Sequence, residues 1–330
     1  MSVRKLLCCL LLAATAGIAG CLLPSSTPTV SFTLELLTAA SIRVSAPSGW
    51  ARYEWHFGDG ASAEGETVTH AYDAPGEYAV DLKALSGDGQ VAFKHRTVSV
   101  HRDICVGTSS SSDYTSLQLA IDAAEPGDML LVDGEYTGNF EIGEAITIRG
   151  PCTLVSVTAD PALYVAVDGV SLEDITFEGG GDEATAGGGL RLESAAIEVV
   201  DCTFDGHTGF SGGAVFVMES AAVFSDCTFS DNRADVDGGA VYCEGDRAFP
   251  TFLRCTFSDN RADAGAGIAV RATTYVSVDA VPLRVEDCTF ERNLASGLHA
   301  GGAVHVGHTC RTVLNGNTYS ANGLLAVVYE

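Results

Sequence analysis

Five aspartates, Asp231, Asp235, Asp237, Asp259 and Asp263, fall in two short groups, the second repeating positions of the first 28 residues on. Oxygen ligands gathered this way suit a hard cation such as Ca2+, and paired carboxylates are also the acid and base of glycoside hydrolysis. They are the candidate calcium site and the place to look for a polysaccharide lyase or glycosidase. Against catalysis, no lysine follows residue 100, the acids sit in turns between apolar phrases, and Trp50 and Trp55, the two tryptophans, both lie in the first hundred residues. No catalytic residue is assigned, and beyond the calcium candidate no cofactor is implied. His305, His308 and Cys310, with His299 close by, carry the nitrogen and sulfur donors of a transition-metal site. Their spacing fits no tight zinc signature, and a simple strand turns 305 and 308 to opposite faces.

One recurring phrase organises the chain that carries these residues. It runs Glu173-Asp-Ile-Thr-Phe177, Val200-Asp-Cys-Thr-Phe204, Ser225-Asp-Cys-Thr-Phe229, Leu253-Arg-Cys-Thr-Phe257, Glu286-Asp-Cys-Thr-Phe290 and Asn315-Gly-Asn-Thr-Tyr319, its aromatics 27, 25, 28, 33 and 29 residues apart. About ten residues after each aromatic comes a glycine phrase such as Gly212-Gly-Ala-Val215 or Gly238-Gly-Ala-Val241. Short strands joined by tight turns, with no helix-length segment, must wrap and stack to bury an inner face, which predicts a right-handed parallel β-helix. Stacking makes ladders: Cys202, Cys227, Cys255 and Cys288; Phe204, Phe229, Phe257 and Phe290; and Asn232, Asn260, Asn293 and Asn322 at a turn. One residue before each cysteine, Asp201, Asp226, Arg254 and Asp287 form a further column, with Arg254 between two carboxylates.

The phrases Phe229-Ser-Asp-Asn232, Phe257-Ser-Asp-Asn260 and Phe290-Glu-Arg-Asn293, with their Gly-Gly-Ala-Val partners, resemble the repeats of polymorphic outer-membrane proteins and the wider right-handed β-helix families. The resemblance covers about residues 105 to 330. It implies the fold and leaves function open, since those families include adhesins, lyases and hydrolases.

At the amino end, Arg4 and Lys5 precede an apolar run from Leu6 to Ala14 and small residues ending Ile18-Ala-Gly-Cys21. Residues 1–20 read as a signal peptide, and its last residues resemble the lipobox of bacterial lipoproteins, which implies lipidation at Cys21 and a membrane anchor there. Leu22 in place of an aspartate points to the outer membrane or cell surface, and 21–28 is a short tether. Residues 29–100 alternate apolar with polar between glycines, and Trp55-His-Phe-Gly-Asp-Gly60, His70-Ala-Tyr72 and Gly76-Glu-Tyr-Ala-Val-Asp-Leu82 resemble a PKD domain, an immunoglobulin-like sandwich. Asp59 and His70 are then turn and strand-end residues. Residues 101–330 are the β-helix. Asp113 is expected to cap a helix through Ala124 that covers the first rung, as the amino-terminal caps of secreted β-helices do. The expected architecture is all-β: a PKD sandwich, then a right-handed parallel β-helix with an amino-terminal capping helix.

The full chain carries a net charge of −25, and residues 101–330 hold 34 Asp and Glu against 11 Arg and no Lys. Nucleic acid and anionic membrane are disfavoured as partners. Eight cysteines follow Cys21. Ladder neighbours point in parallel at a spacing too wide for an unstrained bridge, so the four are read as small buried hydrophobes, and Cys105 with Cys152 is the candidate disulfide. The sequence expectation is a surface lipoprotein acting as a non-catalytic binding, adhesion or structural module touching glycan or surface protein, with a lyase or glycosidase as the alternative. The apolar end, Leu324 to Tyr329, is expected to associate with a second copy or fray, unless the Thr273 to Pro282 insertion covers it.

Overall fold

The computed structural model describes residues 28–181, 186–246, 249–272, 282–297, 301–307, 310–322 and 326–329. The signal segment with Cys21, His299, His308, residues 273–281, and Leu324 with Leu325 lie outside the described residues.

Among the described residues, the first hundred carry two sheets. One has three strands, Thr33–Thr38, Ser41–Ser45 and Thr67–Ala71; the other has four, Ser62–Glu64, Arg52–His56, Gly76–Leu85 and Val91–Val100. Trp55 is fully buried, gives its Nε1–H to the Gly65 carbonyl at 2.8 Å and meets the Phe32 ring edge-on. Asp59 accepts the Ala61 N–H at 2.9 Å and so closes its turn, while the His70 ring packs edge-on against Tyr72. The chain divides into two compact units, one holding Val44–Val68 and Ala79–Arg96, the other Leu34–Arg43, Thr69–Tyr78 and Thr97 onward.

From Asp103 the chain is a parallel solenoid. One rung runs Thr203–Asp205, Thr208–Gly209, Val215–Met218 and Val223–Ser225, and each strand pairs in parallel with its counterpart in the next rung. Register is residue for residue: Phe204 opposes Phe229, then Phe257, Phe290 and Tyr319. The phenyl rings stack at 4.9, 4.6 and 4.7 Å with planes within 5°. That distance is the inter-strand spacing itself, so the column buries aromatic faces without any rotamer change from rung to rung.

The corners explain why the phrases repeat. Asp201, Asp226, Arg254 and Asp287 have φ of 53 to 57°, as do Asp231, Asp259, Arg292 and Ala321 at 53 to 59°. A left-handed residue turns the chain sharply, and Asp tolerates it best among the types present. The next side chain then points inward: a cysteine at one corner, an asparagine at the other. The asparagines are buried and bond along the axis, Asn260 Nδ2 donating to Asn293 Oδ1 at 2.8 Å and to the Phe229 carbonyl at 3.0 Å, while its Oδ1 accepts the Asn232 N–H at 3.0 Å. Asn293 and Asn322 repeat the pattern. Glycine is required where the glycine phrases begin: Gly238 has φ +67°, and a Cβ there would stand 2.2 Å from the Val241 carbonyl oxygen.

Three expectations need correction. The helix spans Leu117–Ala123 and its cap is Ser116, whose hydroxyl accepts the Leu119 N–H; Asp113 instead takes the Cys105 N–H at 2.8 Å and closes the preceding loop. Arg254 bonds to Asp226 alone, at 2.8 and 2.5 Å, and Asp287 acts on it only through its field. Cys105 and Cys152 are not bridged: strand alternation turns Cys105 to the outside and Cys152 into the core.

Candidate functional site

The outer face of an eight-stranded sheet carries the site. Its first strands are Phe140–Ile142, Leu163–Val165 and Leu190–Glu193, in register so that Glu141, Tyr164 and Arg191 form one outward row. Inward neighbours Leu163, Leu190, Val165 and Leu192 are fully buried, which fixes this outward face by simple alternation. The helix holds the first strand, since Gln118 Oε1 accepts the Glu141 N–H and Gln118 Nε2 donates to the Glu141 carbonyl, both at 3.1 Å. Asn139 Nδ2 donates to the carbonyls of Asp160 and Pro161 at 2.9 and 2.8 Å, so it shapes the adjoining loop.

Between loop and sheet lies an open groove of about 420 Å3 lined by Asn139, Phe140, Glu141, Asp160, Pro161, Tyr164, Arg191 and Glu193. Its polar groups are tied together. Arg191 donates from Nε and Nη2 to Glu193 Oε1 at 2.7 and 2.5 Å, and the Tyr164 hydroxyl donates to Glu193 Oε2 at 3.1 Å. On the next rung, the Phe216 ring lies 5.2 Å from the Arg191 guanidinium carbon, a cation–π contact. Burial, and then the Glu193 carboxylate, raise the Tyr164 pKa, which keeps that hydroxyl a donor. The row continues through Phe216, Tyr242, Ala269 and His305, all buried although they face outward. Burial pushes the Tyr242 phenol up to about 12.

The five aspartates are not gathered. Asp237 is almost wholly buried and pairs with Arg271 at 2.9 Å; Asp235 pairs with Arg233 at 3.3 Å; Asp259 pairs with Arg292 at 2.7 Å. Asp263 accepts from Ser296, and Asp231 occupies a left-handed corner. Hydrogen bonding to Arg292 lowers the Asp259 pKa, as Arg254 does for Asp226. Among the described residues no three His, Cys, Asp or Glu side chains converge as metal ligands. His305 faces outward and is 2% exposed, Cys310 is half-buried, and His308 lies outside the described residues. The cysteines of the ladder are buried free thiols; Cys227 donates to the Val199 and Ser225 carbonyls at 3.4 and 3.3 Å.

Sequence reasoning missed Glu141, Tyr164, Arg191 and Glu193. A signal for Arg191 and Glu193 lies in Leu190-Arg-Leu-Glu193, where polar residues alternate with apolar ones directly after a glycine phrase, whereas Glu141 and Tyr164 stand in no such phrase. It also missed His207, which takes the ladder position of the asparagines one rung earlier, its N–H donating to Asn232 Oδ1 at 3.0 Å.

Comparison with known proteins finds the family "PKD domain" over residues 28–100 and "Right handed beta helix region" over residues 144–329. Among solved structures, the chain is similar to the PKD1 domain of the Vibrio cholerae metalloprotease PrtV, at 24% identity over 22% of this chain and 96% of that one (TM-score 0.21). The PKD1 domain of Vibrio anguillarum Epp matches at 24% identity over 22% and 89% (TM-score 0.20). A Family 28 exopolygalacturonase of Yersinia enterocolitica matches at 8% identity over 91% and 97% (TM-score 0.24).

Proposed function

Because the chain belongs to the right-handed β-helix family and carries a PKD domain ahead of it, we propose that it is a non-catalytic binding module of the cell envelope that holds a glycan in the groove at Tyr164, Arg191 and Glu193. In this reading, lipid on Cys21 anchors the chain at the outer membrane or cell surface and the β-helix is what it presents. The observation that carries the reading is the closed network on the groove floor. Sugars are recognised by rigid arrays of donors and acceptors beside an aromatic ring, and Tyr164, Arg191 and Glu193 form such an array, with Arg191 held against Phe216 of the next rung. Hydrolysis would need one carboxyl to give a proton and a second to attack or activate water; in this reading Glu193 serves instead as a fixed acceptor held by Tyr164 and Arg191.

A glycan and protein array probed with the full chain and with Tyr164→Ala tests this. The expected result is retention on one or more glycans that the variant loses, with no new reducing ends or unsaturated products. Retention on protein spots alone, or glycan retention untouched by Tyr164→Ala, would move the function elsewhere on the solenoid. The amino terminus is tested separately, by mass spectrometry for a diacylated Cys21.

A further inference from the structure

We propose that Glu193 decides which glycans the groove accepts: by filling the Arg191 fork it admits neutral saccharides and turns away those carrying a uronate carboxylate. This rests on the groove being a glycan site. A guanidinium with two adjacent N–H groups is the natural partner of a carboxylate, and a uronic acid would seek that fork. Here the Nε/Nη2 edge is taken, with both nitrogens on Glu193 Oε1, and the guanidinium charge is matched by that carboxylate. The guanidinium cannot swing away to offer this edge to a ligand without leaving the Phe216 ring 5.2 Å from it on the next rung. An incoming carboxylate would also meet Glu141, Asp160 and Glu193 in a groove where, among the described residues, Arg191 is the one cation of the lining, and like charges brought together in an interface reject the wrong partner.

A neutral sugar fits the same groups. Its hydroxyls donate to carboxylate oxygens of Glu193, which have lone pairs left after two partners, and accept from the guanidinium N–H groups pointing away from Glu193. The network stays intact and gains bonds. Glu193→Gln keeps the side-chain shape and a carbonyl oxygen for Arg191 but removes the charge that occupies the fork, so the guanidinium becomes available to a ligand carboxylate.

The experiment compares oligogalactose and oligogalacturonate of equal length, which differ in the group at C6, on the full chain at low salt. The parent is expected to bind the galactose probe at least about tenfold more tightly than the galacturonate probe, and Glu193→Gln to erase or reverse that ratio. Tyr164→Ala is expected to weaken both. Asp235→Asn removes one negative charge two rungs on, just past a strand of a different sheet, where Asp235 pairs with Arg233, and is expected to leave the ratio unchanged. If Glu193→Gln keeps the parent ratio while Tyr164→Ala abolishes binding, the groove is a glycan site and the proposal about Glu193 is wrong. If Asp235→Asn shifts the ratio as much as Glu193→Gln, the discrimination comes from overall charge and the proposal again fails. If neither probe's binding responds to Tyr164→Ala, the glycan reading of the groove falls with it.

Discussion

Replacing Asn260 by alanine should damage the solenoid as much as removing a stacked phenylalanine. Asn260 is fully buried and serves both neighbouring rungs. Its loss strands the Asn232 N–H, whose acceptor at 3.0 Å is Asn260 Oδ1, and deprives the Phe229 carbonyl and Asn293 Oδ1 of their Nδ2 donor. A buried donor left bare costs about 1–3 kcal/mol, and each further bond forgone about 0.5–1.5 kcal/mol. Together they give about 2–6 kcal/mol, which brackets the range of about 3–5 kcal/mol for a Phe→Ala cavity. Urea denaturation of parent and variant reads the total, and native hydrogen exchange at Asn232 reads the local cause. A variant within about 1 kcal/mol of the parent, with Asn232 still slow to exchange, would mean that the amide column does not bear on stability.

Phe257→Ala should cost about 3–5 kcal/mol in the same denaturation experiment, since Phe257 stacks on Phe229 and Phe290 at 4.6 and 4.7 Å; a parent-like midpoint would contradict the stacking. His207 should make the chain acid-sensitive: burial lowers its folded pKa to about 4, partly offset by the Phe177 and Gly179 carbonyls. Its folded pKa lies below the ordinary value near 6.5, so the neutral ring is favoured by folding, and about 3 kcal/mol is lost as pH falls from about 6.5 through 4. His207→Asn should remove that component of the pH profile while continuing the amide column, and an unchanged profile would refute the assignment. Alkylation of the native chain should label Cys105, which is exposed, and leave Cys152, Cys202, Cys227, Cys243, Cys255 and Cys288 unlabelled until denaturant is added. Burial pushes the Cys152 thiol up to about 12, which adds to its inertness; rapid labelling of the ladder cysteines, or a disulfide in the mass spectrum, would contradict the register.

The solenoid was legible because each rung must solve the same problem. A left-handed corner followed by an inward cysteine or asparagine recurs in identical form, so the columns could be read from spacing alone. The groove was not legible in that way. Glu141, Tyr164 and Arg191 come from three rungs with no shared phrase, and only the register brings them into one row. The misplaced disulfide had a visible warning: Cys105 sits between Ile104 and Val106, and two inward apolar neighbours turn the residue between them outward. Asp113 is not the cap because its carboxylate accepts the Cys105 N–H and closes the preceding loop, which leaves Ser116 beside the first helical residue. The aspartate clusters misled because arginines from other positions and neighbouring rungs, Arg233, Arg271 and Arg292, reach them.

The most direct test is to incubate the full chain with a glycan it retains on the array and to follow retention and glycan length together over many hours. The chain is expected to stay bound, the glycan to keep its length with no new reducing or unsaturated ends, and Arg191→Ala to release it. Shortened glycan, with shortening abolished by Glu193→Gln or Glu141→Gln, would contradict this and make the groove an active site.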